Sequence, residues 1–93
     1  MLLTRQQAKA KKRNAQRLGQ LLKDARIEFD HNLGVFEDNC LEEGSWGIAD
    51  LSCVREAHLV IGQILAIAKD WEELNHFQIE ERLSEIEEEF YPD

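Results

Sequence analysis

An all-α fold, a small bundle of three main helices, is predicted by three observations. Apolar residues recur at helical spacing over most of the chain. Strong helix formers dominate it, and Pro occurs once in 93 residues. Three of the five glycines, Gly34, Gly44 and Gly47, fall in one stretch between residues 30 and 49, which punctuates an otherwise continuous pattern.

The first helix is expected over residues 4–29. Ala15, Leu18, Leu21, Leu22, Ala25 and Phe29 follow the i, i+3, i+4, i+7 rule. Before Ala15 the stripe offers only Ala8 and Ala10. Residues 1–14 therefore read as a solvated basic arm continuing into the helix, with residues 15–93 as a single helical domain. Residues 30–49 read as the least regular part. A short helix or ordered loop near residues 35–43 would bury Phe36, Cys40 and Leu41 and end at Gly44.

A second helix is expected over residues 50–74, with Asp50 as its N-cap. Two apolar seams run along it. One is Leu51, Val54, His58, Ile61, Leu65 and Ala68; the other is Ala57, Val60, Ile64, Ile67, Trp71 and Leu74. Two seams predict a central helix packed on both sides. Gly62 costs about 1 kcal/mol relative to Ala in mid-helix, which close approach of another backbone would explain. The third helix spans residues 76–91. Asn75 with Gln78 makes a capping box, Ile79, Leu83, Ile86 and Phe90 form the seam, and Pro92 ends it.

Composition narrows the function classes. With 43% hydrophobic and 32% charged residues the chain is too apolar for disorder and too charged for a membrane protein. Its longest apolar run, residues 59–68, is half a membrane span and is interrupted by Gln63. The opening Met1-Leu2-Leu3-Thr4-Arg5 has no apolar signal region, and two cysteines are fewer than a disulfide scaffold carries. A cytoplasmic protein without a Cys40–Cys53 bridge is expected.

Net charge is −8, unevenly spread. Residues 1–26 hold eight bases and one acid, a balance of +7; residues 27–93 hold three bases and eighteen acids, a balance of −15. The distribution bears on partners and not on fold. Arg5, Lys9, Lys12, Arg13, Arg17 and Lys23 form the basic surface, and Glu80, Glu81, Glu85, Glu87, Glu88 and Glu89 the acidic one.

Catalytic and cofactor chemistry find no support. His31, His58, His76, Cys40 and Cys53 show no metal-ligand spacing, and His58 in an apolar seam reads as a structural core residue. The carboxylates sit on a polar helix face and not in a desolvated cleft, where general acid–base work needs them. Gly44-Ser45-Trp46-Gly47 lacks the lysine of a phosphate loop. No cofactor and no metal are expected. Residues 18–23, Leu-Gly-Gln-Leu-Leu-Lys, resemble the opening helix of phage-repressor helix-turn-helix domains. The recognition helix would then fall among Glu37, Asp38, Glu42, Glu43 and Asp50, which repel DNA.

The expectation is a non-enzymatic protein-binding regulator, such as an inhibitor, an immunity or antitoxin-like protein or a phage-encoded anti-defence protein, acting through its charged helices. A homodimer, basic arm on acidic helix, fits the same charges. Nucleic-acid binding through the basic arm is the alternative, and an assembly adaptor a third; no membrane partner is expected.

Overall fold

The computed structural model describes residues 4–91, and among them the three-helix, all-α architecture is observed. Helix α1 (Arg5–Glu43) opens on Thr4, whose hydroxyl accepts the Gln7 N–H while the Thr4 N–H donates to the Gln7 side chain. It runs unbroken for 39 residues. Residues 30–34 are therefore helical, and the expected break after residue 29 and separate short helix near 35–43 do not exist. The apolar stripe explains the continuity. Leu33, Phe36 and Cys40 follow Phe29 at steps of four, three and four, so the inward face never loses phase. Gly34 alone is too small a penalty to stop a helix so supported. Gly44 does stop it, in the left-handed conformation at φ 67°, with its N–H donated to the Cys40 carbonyl.

Helix α2 (Ile48–Lys69) starts two residues earlier than expected. Gly47 is the N-cap, and the Asp50 carboxylate, one turn in, accepts both the Gly47 N–H and the Asn39 amide, at 3.2 and 3.0 Å. The helix ends at Lys69 and not at residue 74. A turn over residues 70–73 carries Trp71 and Leu74 onto the core. Helix α3 (His76–Phe90) has the expected capping box, Asn75 with Gln78. The expected stop at Pro92 lies outside the described residues.

Side-chain contacts fix the directions. Phe29 meets His58, and Asn39 meets Asp50, so α2 runs antiparallel to α1. Arg13 meets Glu80, Arg17 meets Glu87 and Asp24 meets Tyr91, so α3 runs parallel to α1. Since α3 is spent by the level of Asp24, the rest of α1 and the start of α2 form a two-helix hairpin with no third helix over it. The molecule measures 58 × 24 × 17 Å.

The core lies in the three-helix half. Leu21 and Ala25, Ile64 and Ile67, and Ile79, Leu83 and Ile86 are buried together, ringed by Leu18, Leu22, Val60, Ile61, Trp71, Leu74 and Phe90. Of the two α2 seams, the one through Ile64 and Ile67 faces inward. In the other, Val54 and Ile61 are half-buried, and Leu51, His58, Leu65 and Ala68 are exposed. So α2 is covered on one side only. No backbone approaches Gly62, and His58 rests at the surface against the Phe29 ring instead of in the core. The expected solvated arm is also corrected: Ala10 and Asn14 are buried, so the basic segment is packed from residue 10 onward.

Asn14 is fully buried, and neither its amide nitrogen nor its oxygen has a hydrogen-bond partner. An unpaired buried polar group costs about 1–3 kcal/mol. Asn14→Leu is therefore expected to raise the unfolding free energy by about 1–2 kcal/mol in a urea titration. Leu83→Ala, which empties a fully buried site, is expected to lower it by about 2–5 kcal/mol.

Candidate functional site: paired charges and an uncovered apolar face

The parallel docking of α3 places acid against base. Lys11 pairs with Glu72 and Arg13 with Glu80, each at 3.4 Å, and Arg17 holds both Glu87 and the Ser84 hydroxyl. The steps explain the match. Arg13 and Arg17 are four apart on α1, Glu80 and Glu87 seven apart on α3, so each pair lies on one face of its helix. Beyond them Asp24 accepts from the Tyr91 phenol and from Gln20. The positive balance of the first 26 residues is thus set beside part of the negative balance that follows it.

This divides the sequence-predicted surfaces. On the acidic one, Glu80 and Glu87 are engaged within the chain, and Glu81, Glu85, Glu88 and Glu89 have no cationic partner among the described residues. On the basic one, Arg13 and Arg17 are engaged, and Arg5, Lys9, Lys12 and Lys23 are not. The Lys11–Glu72 and Arg13–Glu80 pairs are largely solvated, so each contributes on the order of 0–1 kcal/mol, while Arg17–Glu87 is part-buried. Their effect is on register: two matched pairs hold α3 parallel to α1 at one height, and a third ties the turn before it.

The apolar surface is the feature that sequence reasoning missed. Ile48 is 82% exposed, Leu41 76%, Leu59 60% and Leu65 52%. By length and composition Ile48–Lys69 would suffice to cross a membrane, and only 17% of its most apolar stretch is buried. Around the hairpin turn, Leu41, Ile48 and Leu51 accompany Trp46, whose ring lies 5.5 Å from that of Phe36. Trp46 caps Phe36 and remains half-exposed. Where α3 ends, an open groove of about 670 Å³ lies between α1 and α2, lined by Asn32, Cys53, Leu59, Val60 and Phe90. A signal for this surface was present in the sequence as the second seam of α2. It was assigned to a neighbour that the chain does not supply.

His76 packs on the Phe77 ring beside a second depression of about 210 Å³, where Lys11 and Glu72 already pair with each other. No group of three or more His, Cys, Asp or Glu among the described residues is placed to hold a metal ion. Cys40 is half-buried and Cys53 exposed, both as free thiols.

No protein family, characterised protein or solved structure matches this chain.

The Asp24–Tyr91 contact has a measurable consequence. Partial burial of the phenol, and then its bond to the Asp24 carboxylate, push the Tyr91 pKa up from 10.0 to about 12. The same bond holds Asp24 below the usual carboxylate range. A phenol whose pKa is higher in the folded state stabilises the fold below pH 10, and that contribution is lost as pH rises from 10 through 12. Tyr91 is the one tyrosine of the chain, so tyrosinate absorbance reports it alone. A midpoint near 12 is expected in the native protein, falling toward 10 in Asp24→Asn.

Proposed function

We propose that this chain is a non-enzymatic protein-binding module of the regulatory kind, one that acts by occupying a surface of another protein. The observation that carries the reading is the hairpin tip. Leu41 and Ile48 are more than three-quarters exposed there, with Trp46 beside them, and Glu37, Asp38, Glu42 and Glu43 surround them. An apolar centre with an aromatic anchor and a polar rim is the anatomy of a protein interface. Small soluble chains seldom leave such side chains bare without a use for them. The rim specifies the partner's chemistry: a protein with an apolar recess bordered by Lys and Arg. The unpaired carboxylates of α3, Glu81, Glu85, Glu88 and Glu89, extend the same negative field and would speed the encounter. An inhibitor or an adaptor fits this description equally well.

A second reading, binding of nucleic acid, draws on Arg5, Lys9, Lys12 and Lys23. They lie within one sector of the helical wheel of α1, without carboxylate partners among the described residues. Four phosphate contacts would give a log–log salt slope of about −4. Absence of any gel retardation at low salt would remove this reading.

The main test uses the tagged full chain expressed in its source cells. A stoichiometric protein partner is expected to co-purify with it. Leu41→Ser combined with Ile48→Ser is expected to release that partner while circular dichroism stays unchanged, since both side chains project into solvent. Retention of the same partner by the double variant would refute the tip as the binding surface.

A further inference from the structure

The uncovered seam of α2 continues onto α1. Leu51, His58 and Leu65 are spaced by seven and share one side of α2; Leu22 and Phe29, also seven apart, share one side of α1. The Phe29–His58 contact, with ring centroids 6.1 Å apart, shows that these two sides are continuous. Helix α3 lies on the other side. Leu22 is two residues from Asp24, which bonds Tyr91, and Leu65 is two residues from buried Ile67; two residues are about 200° of helical turn. The α1–α2 pair is therefore apolar on both broad sides and covered by α3 on one.

Two further features concern the same side. Gly62 lies mid-way along it, with nothing within 4 Å of where a Cβ would stand. One turn beyond His58 in an antiparallel pair, Gly62 is level with Ala25, near the middle of α1 (Arg5–Glu43). The charge of α1 also reverses at its middle. Residues 5–26 hold eight bases and Asp24; residues 27–43 hold Glu28, Asp30, Glu37, Asp38, Glu42 and Glu43, with no Lys or Arg. That order is the reverse of what the helix dipole favours, so helix stability does not explain it. Helix α3 accounts for Arg13 and Arg17, and Glu72 in the turn before it for Lys11. Among the described residues no cation pairs with Glu37, Asp38, Glu42 or Glu43.

We propose that a second copy of this chain covers the face opposite α3, packed antiparallel about a two-fold axis that passes near Gly62. An axis at that height brings Glu37 of one α1 over Lys12 of the other, twice, both on the side of Leu22 and Phe29. The missing side chain at Gly62 lets the two α2 backbones approach where they cross. The two α1–α2 pairs form a four-helix layer, with one α3 on each outer side. A two-helix face the length of α2 measures roughly 650 Å² per protomer, close to the ~800 Å² of a standard interface. The charge order chooses a second copy over a membrane surface, because one α1 carries both halves of the complementarity. The hairpin tips then project from opposite ends, and the dimer offers two binding sites; this consequence rests on the function proposed above, while the dimer itself does not.

Light scattering and sedimentation of the purified full chain test the proposal. A species of twice the 10.8 kDa chain mass is expected at micromolar concentration. Gly62→Arg is expected to yield a monomer of unchanged helicity, since the position is open within one chain and Arg is a good helix former. Glu37→Lys, and separately Lys12→Glu, are each expected to weaken the dimer roughly tenfold or more, about 1.4 kcal/mol per tenfold. An equimolar mixture of these two variants is expected to restore it. Four outcomes overturn the proposal: a wild-type monomer, a dimer that Gly62→Arg leaves intact, failure of the mixture to recover, or monomeric adsorption to phosphatidylglycerol vesicles. A monomer that still captures a partner through Leu41 and Ile48 would end the dimer and leave the protein-binding reading in place; loss of both would end both.

Discussion

Burial of Ile64 and Ile67 between α1 and α3 is the constraint from which the rest of the molecule follows. Among the described residues these two side chains, with Leu21 and Ala25 on one flank and Ile79, Leu83 and Ile86 on the other, form the interior to which all three helices contribute. A layer so thin cannot orient its helices by shape alone, because several pairings would bury similar apolar area. Orientation comes from the polar rim. Arg13, Arg17 and Asp24 on α1 match Glu80 and Glu87 on α3 and Tyr91 just past its end when the two helices run parallel and at one height. These partly solvated contacts add little stability. Their worth lies in the pairing they favour: Asp24, the one acid in this half of α1, meets the Tyr91 hydroxyl here and not one of the α3 carboxylates.

The same constraint creates the exposed surface. Fifteen residues of α3 cannot accompany 39 residues of α1. Past Asp24 the first helix has only α2 for company, and α2 can turn one seam at a time toward the interior. The apolar side chains at the tip and on the face opposite α3 are thus consequences of unequal helix lengths, not of local misfolding. Each is stable in place because its own helix is anchored elsewhere, α1 at Leu21 and α2 at Ile64. A surface that does not hold up its own fold can be given over to binding.

Much of this was legible in the sequence, and the failures share a cause. The all-α class, the inward seam of α2, the seam of α3 and the Asn75–Gln78 cap depend on spacing within one helix, which the sequence displays directly. The errors lie where a tertiary neighbour decides. Gly34 looked like a break, yet Leu33, Phe36 and Cys40 kept the stripe in phase and carried α1 on to Gly44. Residues 1–14 looked solvated because Ala10 is a small apolar signal and Asn14 a polar one, and both are buried. Leu51, His58 and Leu65 looked like core, since periodicity marks a helix side as apolar without saying whether the chain has anything to lay on it. The charged surfaces were legible as composition but not as geometry: nothing in residue numbers told that Arg13 and Arg17 would be consumed by Glu80 and Glu87, or that Lys9 and Glu85 would not.

Asn14 bears on how so thin a bundle avoids alternative pairings. Its amide is buried without a partner, close in sequence to Ala10 and Leu18, on the first half of α1 where α3 docks. A lone polar group in a helical seam costs stability, and in coiled coils it selects among registers that differ little in apolar contact. Here it has no such partner, and the ion pairs outside it serve that end. Seven buried aliphatic residues hold the common interior together, and Asn14 at its edge is unpaired in this register, so the height of α3 is set by the charged contacts outside. Stability and specificity are then carried by different residues, which leaves the unpaired charges and the bare seam of α2 free to respond to a partner.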